Sequence, residues 1–165
     1  MAKIRYIHQQ DEYSCGPVAL ANILKWAGHK ATLASLPALR KLCKCHPKTG
    51  TNKEDLEVAL KALGIKFRRD IGPTLKEIDQ HIDGGGVLLI NYCIAIGHYA
   101  LCIGRQKKTY TLVNAFDNVT LSDLARNDLR YMLEWWLDGE EHWVWFIYPS
   151  KLSETKVKTH TTIRS

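Results

Sequence analysis

The stretch Ser14-Cys15-Gly16-Pro17-Val18-Ala19-Leu20-Ala21-Asn22-Ile23-Leu24-Lys25-Trp26-Ala27-Gly28 is the segment from which the fold can be read. Val18, Leu20, Ala21 and Leu24 form an apolar stripe at helical spacing, Pro17 suits a first helical position and Gly28 suits a stop. A helix is therefore expected over about residues 17–27. Cys15 then stands just ahead of that helix. Unpaired N–H groups and the positive end of a helix dipole favour a thiolate there, and the thiolate is the nucleophilic form. Gly16 leaves room for a second molecule to approach the sulfur. A competing reading makes Cys15 a small hydrophobe packed at a helix start. This segment alone does not choose between them.

Outward from this segment, 165 residues suffice for one domain, expected over residues 1–150, with a polar, Lys- and Thr-rich flexible tail over 151–165. Hydrophobic residues make up 45%, with five Trp, seven Tyr and three Phe, enough for a core without a disulfide or metal staple. The formal charge is +6, but Lys151, Lys156, Lys158 and Arg164 fall in the tail. Basic residues interleaved with aromatics are scattered, so no nucleic-acid partner is expected. No apolar run suits a signal peptide or a membrane span. The expectation is a cytoplasmic protein without a membrane segment or a cofactor. Five cysteines, an odd number, are expected as free thiols.

Along the chain, a second helix is expected over 32–42, irregular at Pro37, then a loop, then a helix over 53–63 with Asn52 as N-cap and Gly64 as stop. A strand over 65–69 and a helix over 74–82 follow. Strands are expected over 87–92, 98–104, 109–114 and 143–148, with a helix over about 121–137 before the last. The class is α+β, a helical N-terminal half packed on a mainly antiparallel C-terminal sheet.

Side chains alternate along a strand, so His98, Ala100 and Cys102 share one face. If Gly104 pairs with Lys108 across a three-residue loop, Asn114 lies directly opposite His98. A slip of one residue would put Ala115 there instead. Singly, a half-buried strand histidine and a strand-end asparagine are ordinary. With Cys15 they make a nucleophile, a base and a group that orients the base.

The run from Gln9 through Cys15 to Ala21 resembles the N-terminal motif of the bacteriocin-processing cysteine peptidases. These double-glycine leader peptidases are often fused to export transporters. In that motif Gln stands six residues before a Cys-Gly, as Gln9 does before Cys15. The family's His is followed by an aromatic, as in Gly97-His98-Tyr99, and the third member comes sixteen residues later, here Asn114. That place is more usually Asp, so Asn114 departs toward the papain-like amide. Gly50-Thr51-Asn52 is similar to the family's Gly-Thr turn.

The resemblance spans about residues 6–149 and implies a papain-like cysteine peptidase fold, here as a domain without the transporter. It implies Cys15, His98 and Asn114 as the catalytic set and Gln9 as an oxyanion-hole donor beside the Cys15 N–H. Such a donor is worth about 2.7–4 kcal/mol in the transition state. Gln10 is the adjacent competitor for Gln9, and Asp117 is the alternative third member. The implied substrate is a peptide or protein with small residues, glycines foremost, before the cut. Association with a separate transporter or substrate protein is left open. An acyltransferase or deamidase using the same thiol also stays open, as does a non-catalytic peptide-binding module, although the presence of Cys15 counts against the module.

Cys43-Lys44-Cys45-His46 is short of ligands for a structural zinc, so no metal is expected, and an exposed loop with oxidisable thiols is expected instead. Cys93 and Cys102 are expected in core strands. Gly84-Gly85-Gly86 reads as a tight helix-to-strand turn rather than a self-cleavage site. Trp135, Trp136, Trp143 and Trp145 read as core and sheet packing.

Overall fold

The computed structural model describes residues 3–94, 96–116, 119–134 and 143–149. Asp117, Trp135, Trp136 and the tail from Ser150 lie outside the described residues. The described part contains five α-helices and six strands in two compact units, one running to Lys66 and also holding Pro149, the other running from Phe67 to Tyr148. No helix among these residues is long and apolar enough to cross a membrane.

The first unit is helical. Helix α1, Cys15–Trp26, is buried from Cys15 through Leu24, as befits a helix that is apolar or small on every side. Its start differs from the expected position at Pro17. The amide of Val18 makes the first helical bond, to the Ser14 carbonyl at 3.0 Å, so Cys15 is itself the first helical residue. The first turn needs no amide partner from within the helix, so proline is tolerated at Pro17 without loss. Gly28, at φ +88°, ends the helix as expected. A 3-10 turn over Leu33–Ser35 leads into α2, Leu36–Leu42, with Pro37 in its first turn. Helix α3, Lys53–Ala62, is capped by Asn52, whose side-chain oxygen accepts from the Asp55 amide at 2.8 Å.

The second unit is an antiparallel sheet in the order β1-β6-β2-β3-β4-β5 with two helices. The strands are β1 Phe67–Ile71, β2 Val87–Ile94, β3 Ile96–Gln106, β4 Thr109–Phe116, β5 Val119–Ala125 and β6 Trp143–Ile147. The helices are α4, Leu75–Asp83, with a Thr74/Glu77 capping box, and α5, Arg126–Glu134. Ile78 and Ile82 of α4 and Leu129 and Leu133 of α5 share a buried cluster with Leu88, Ile90, Tyr92, Ala100, Cys102, Leu112, Val144 and Phe146 of the sheet. Each large apolar side chain fully removed from water in such a cluster contributes about 1.5–3 kcal/mol. A charged clasp reinforces it. The Asp79 carboxylate accepts from the Tyr110 hydroxyl at 2.6 Å and from Arg126 at 2.6 Å, joining α4, β4 and the start of α5.

The α+β class and the antiparallel sheet are as expected, but several local features are not. The chain expected to be helical from residue 121 is strand β5 followed by the shorter α5. Leu121, Leu124 and Ala125 are spaced three and four residues apart and continue toward Leu129 and Leu133, which imitates a helical stripe. The exposure of β5 nonetheless alternates residue by residue, as a strand's two faces do, and the strand lies at the sheet edge. The β3–β4 turn is also shorter than the three-residue loop expected. Gln106 pairs with Thr109, Gly104 pairs with Thr111, and a register shift follows before Leu101 pairs with Val113. Continued, that register sets Asn114 beside Ala100 and not opposite His98. The strand expected over 65–69 lies two residues later. Cys43 is fully buried at the end of α2 rather than exposed in a loop, while Cys102 is buried in β3 as expected. Gly84–Gly86 forms the expected turn, and a side chain at Gly86 would strike the His81 ring at 2.2 Å.

Candidate active site

The nucleophile candidate sits at the end of a tightly determined loop in the first unit. The buried side chain of Asn22 on α1 accepts from the Ile7 amide at 2.7 Å and donates to the Ile7 carbonyl at 2.8 Å, as a neighbouring strand would. Two residues on, Gln9 donates its side-chain amide to the Asp11 carbonyl at 2.8 Å. The Asp11 carboxylate then accepts from the Tyr13 amide (3.1 Å), the Ser14 amide (2.7 Å), the Ser14 hydroxyl (2.7 Å) and Arg40 (2.7 Å). Burial alone would push this carboxyl up, but the Ser14 hydroxyl, the two amides and Arg40 together hold it below the usual carboxylate range. Arg40 also donates to the Ser14 hydroxyl at 2.7 Å and lies over the Tyr13 ring.

Cys15 follows directly, 6% exposed, as the first residue of α1. Gly16 is also a packing requirement. A Cβ there would lie 2.7 Å from the Thr51 hydroxyl and 2.8 Å from its Cβ, so the glycine lets α1 press against the Gly50-Thr51-Asn52 turn. Behind Thr51, its hydroxyl meets the Cys43 thiol at 3.5 Å, and burial pushes that thiol up to about 11. The Cys45 thiol donates to the Tyr13 carbonyl at 3.4 Å, and burial raises its pKa as well. Among the described residues no three His, Cys, Asp or Glu side chains come together as a metal site would require.

In the second unit, His98 and Asn114 do meet, though not as an opposed strand pair. The Nε2 atom of His98 lies 2.5 Å from the main-chain carbonyl oxygen of Asn114. A carbonyl only accepts, so Nε2 carries the proton and Nδ1 is left as the basic nitrogen of the neutral ring. Asn114 is buried, with φ +55°, at a bulge where the β4–β5 pairing jumps from Val113 to Phe116. Asparagine tolerates this left-handed backbone better than most residues. The bulge takes the carbonyls of residues 114 and 115 out of regular β4–β5 pairing. His98 takes the first of them. The buried hydroxyl of Tyr92 donates to the second, that of Ala115, while the Tyr92 ring packs edge-on to His98 with centroids 5.5 Å apart. Asp117, the alternative to Asn114, lies outside the described residues.

Asn22, Arg40 and Tyr92 went unremarked in the sequence as supports of these residues, and Thr51 entered only through the resemblance of its turn. Among the first three, Asn22 carried a signal, a polar residue on the apolar stripe of α1, where a buried amide needs partners.

A family model described as the Peptidase C39 family matches residues 3–131. No curated protein sequence matches the chain. Among solved structures, the chain is similar to the peptidase domain of Streptococcus ComA, a bifunctional ABC transporter of a quorum-sensing pathway. The two share 19% identity over 90% of this chain and 100% of that one, with a TM-score of 0.72. It is also similar to a double-glycine-motif protease from an AMS/PCAT transporter, solved in complex with its leader peptide. Identity there is 14% over 89% and 94% of the two chains, with a TM-score of 0.65. A C39-like peptidase from Bacillus anthracis shares 15% identity over 90% and 96%, at a TM-score of 0.58. The fold is the papain-like one expected from the sequence.

Proposed function

This chain belongs to the peptidase C39 family, and on that premise we propose that it is a cysteine peptidase in which Cys15 attacks the scissile carbonyl. The observation that carries the reading is the place of Cys15. It is the first residue of a buried helix, where the positive end of the helix dipole favours the thiolate. His98 is the proposed base, acting through Nδ1, because its Nε2 proton is committed to the Asn114 carbonyl. Asn114 is the proposed orienting residue, through its main chain. The thiolate adds to the carbonyl and forms an acyl-enzyme, His98 protonates the departing amine, and water releases the acyl group. Gln9 and the Cys15 N–H are the proposed oxyanion donors. The Gln9 amide rests on the Asp11 carbonyl in the free protein and would turn from it to the developing oxyanion.

The proposed substrate is a peptide with small residues, glycines foremost, before the cut. A peptide aldehyde or chloromethyl ketone ending in Gly-Gly tests the reading. It should label Cys15 in the intact protein and fail on Cys15→Ala, and a peptide containing Gly-Gly should be cleaved after the second glycine. Labelling at any other cysteine, or cleavage that survives Cys15→Ala, would overturn it.

A further inference from the structure

Tyr92 has no part in the chemistry set out above, yet it holds two components of the proposed site at once. It is the directly opposed partner of His98 across the β2–β3 ladder, so the two side chains share a face of the sheet. Their rings meet at 5.5 Å between centroids and 67° between planes. The hydroxyl, on a residue only 2% exposed, donates to the Ala115 carbonyl. That carbonyl belongs to the residue after Asn114, whose own carbonyl accepts the His98 proton.

We propose that Tyr92 is a positioning residue for His98, fixing the imidazole's tautomer and plane from two sides, an assignment that rests on reading His98 as the base. The ring of Tyr92 limits rotation of the imidazole about its bond to Cβ. The hydroxyl anchors the 114–115 segment, which lies at a bulge and not in a continuous ladder. The hold on the neighbouring carbonyl therefore helps to set the direction of the acceptor for Nε2–H. Released from that hold, the Asn114 carbonyl turns away, the Nε2–H bond to it weakens, and the ring gains access to the Nδ1–H tautomer, in which Nδ1 has no lone pair for the thiol proton. Tyr92 itself exchanges no proton with substrate.

The test uses the full chain labelled with 15N in histidine, with imidazole nitrogen shifts read on the neutral side of the His98 titration. In the wild-type protein His98 should be the Nε2–H tautomer. Tyr92→Phe keeps the ring and removes the anchor, so it should produce a mixture of tautomers. It should also lower kcat/KM on a fluorogenic Gly-Gly peptide roughly tenfold, with KM little changed, about the effect of one hydrogen bond. Tyr92→Leu removes the ring as well and should cost more than Tyr92→Phe. A wild-type Nδ1–H tautomer, or an Nε2–H tautomer that persists in both folded variants, would overturn the assignment. If the tautomer responds to Tyr92 but the wild-type protein leaves the peptide uncut, the hold on the ring stands and the reading of His98 as the base falls.

Discussion

The imidazole of His98 gives its Nε2 proton to the main-chain carbonyl of Asn114, 2.5 Å away, at a residue whose backbone is held at φ +55°. Orientation of the proposed base thus passes through the chain itself, and the identity of the side chain at 114 matters first for the backbone shape it permits.

Substitutions at Asn114 should therefore rank by their tolerance of that shape. Asn114→Gly is at home at positive φ and should retain kcat/KM within several-fold. Asn114→Ala, strained there by about 1–2 kcal/mol, should lose more in both rate and stability. Asn114→Asp, which also tolerates this backbone, should stay active. Steady-state kinetics with parallel denaturation curves decide it. A folded Asn114→Gly protein as inactive as His98→Ala would assign the role to the side-chain amide.

Alkylation should separate the cysteines. At pH 6, iodoacetamide should modify Cys15 first. Cys43 and Cys102 are fully buried, with thiols pushed up by burial to about 11 and about 12, and burial raises Cys45 as well. Cys15→Ala should lower turnover by at least about 10³-fold while the melting temperature moves by only a few degrees. Mass spectrometry that finds Cys43 or Cys45 modified ahead of Cys15 would remove the argument for an activated thiol.

Gly16→Ala should destabilise by about 1–3 kcal/mol despite alanine's better helix propensity, because its methyl group meets Thr51 at 2.7–2.8 Å. Combined with Thr51→Gly, the loss should be smaller than the sum of the two single losses. A double-mutant cycle in urea measures that coupling, and strict additivity would show that the two residues do not press on each other.

The Asp11 network sets an acid limb to stability. The folded-state pKa of Asp11 is lowered, so the native protein binds fewer protons than the unfolded chain near the ordinary carboxylate pKa. Its stabilisation is complete above about pH 4, the unfolded value, and fades as pH falls through the lower folded value. Asp11→Asn should cost about 1–2 kcal/mol at neutral pH, and stability should then fall less steeply on acidification below about pH 4. Denaturation midpoints at pH 7, 4 and 3 for both proteins would show whether the curves converge. Parallel curves would remove Asp11 from the acid limb.

What the sequence made legible follows local rules. The Asn52 cap, the Gly28 and Gly64 stops and the apolar runs of β2 to β4 each depend on a few neighbouring residues, and each lies where expected. The 3.6-residue stripe announced α1, but its start was misjudged because Pro17 is acceptable anywhere in a first turn. Strand β5 was missed because Leu121, Leu124 and Ala125 continue toward Leu129 and Leu133 at helical spacing, while no apolar alternation marks the strand. The hairpin register depends on a bulge near Ile103 and a two-residue turn at Lys107-Lys108, which no composition of single residues dictates. Tyr92 was invisible as a support, and the contact of Thr51 with Gly16 was too, since contacts between residues far apart in the chain leave no local pattern.

The clamp of Asn22 on Ile7 has a mechanical consequence. Helix α1 carries Cys15 at its tip and, through Asn22, grips the strand-like segment that delivers Gln9. Nucleophile and proposed oxyanion donor are thus mounted on a single lever. Tilting α1 would swing both through the same arc, so the spacing of Gln9 and Cys15 depends on the grip on Ile7. The exchange lifetime of the Ile7 amide would therefore be a clock for that alignment.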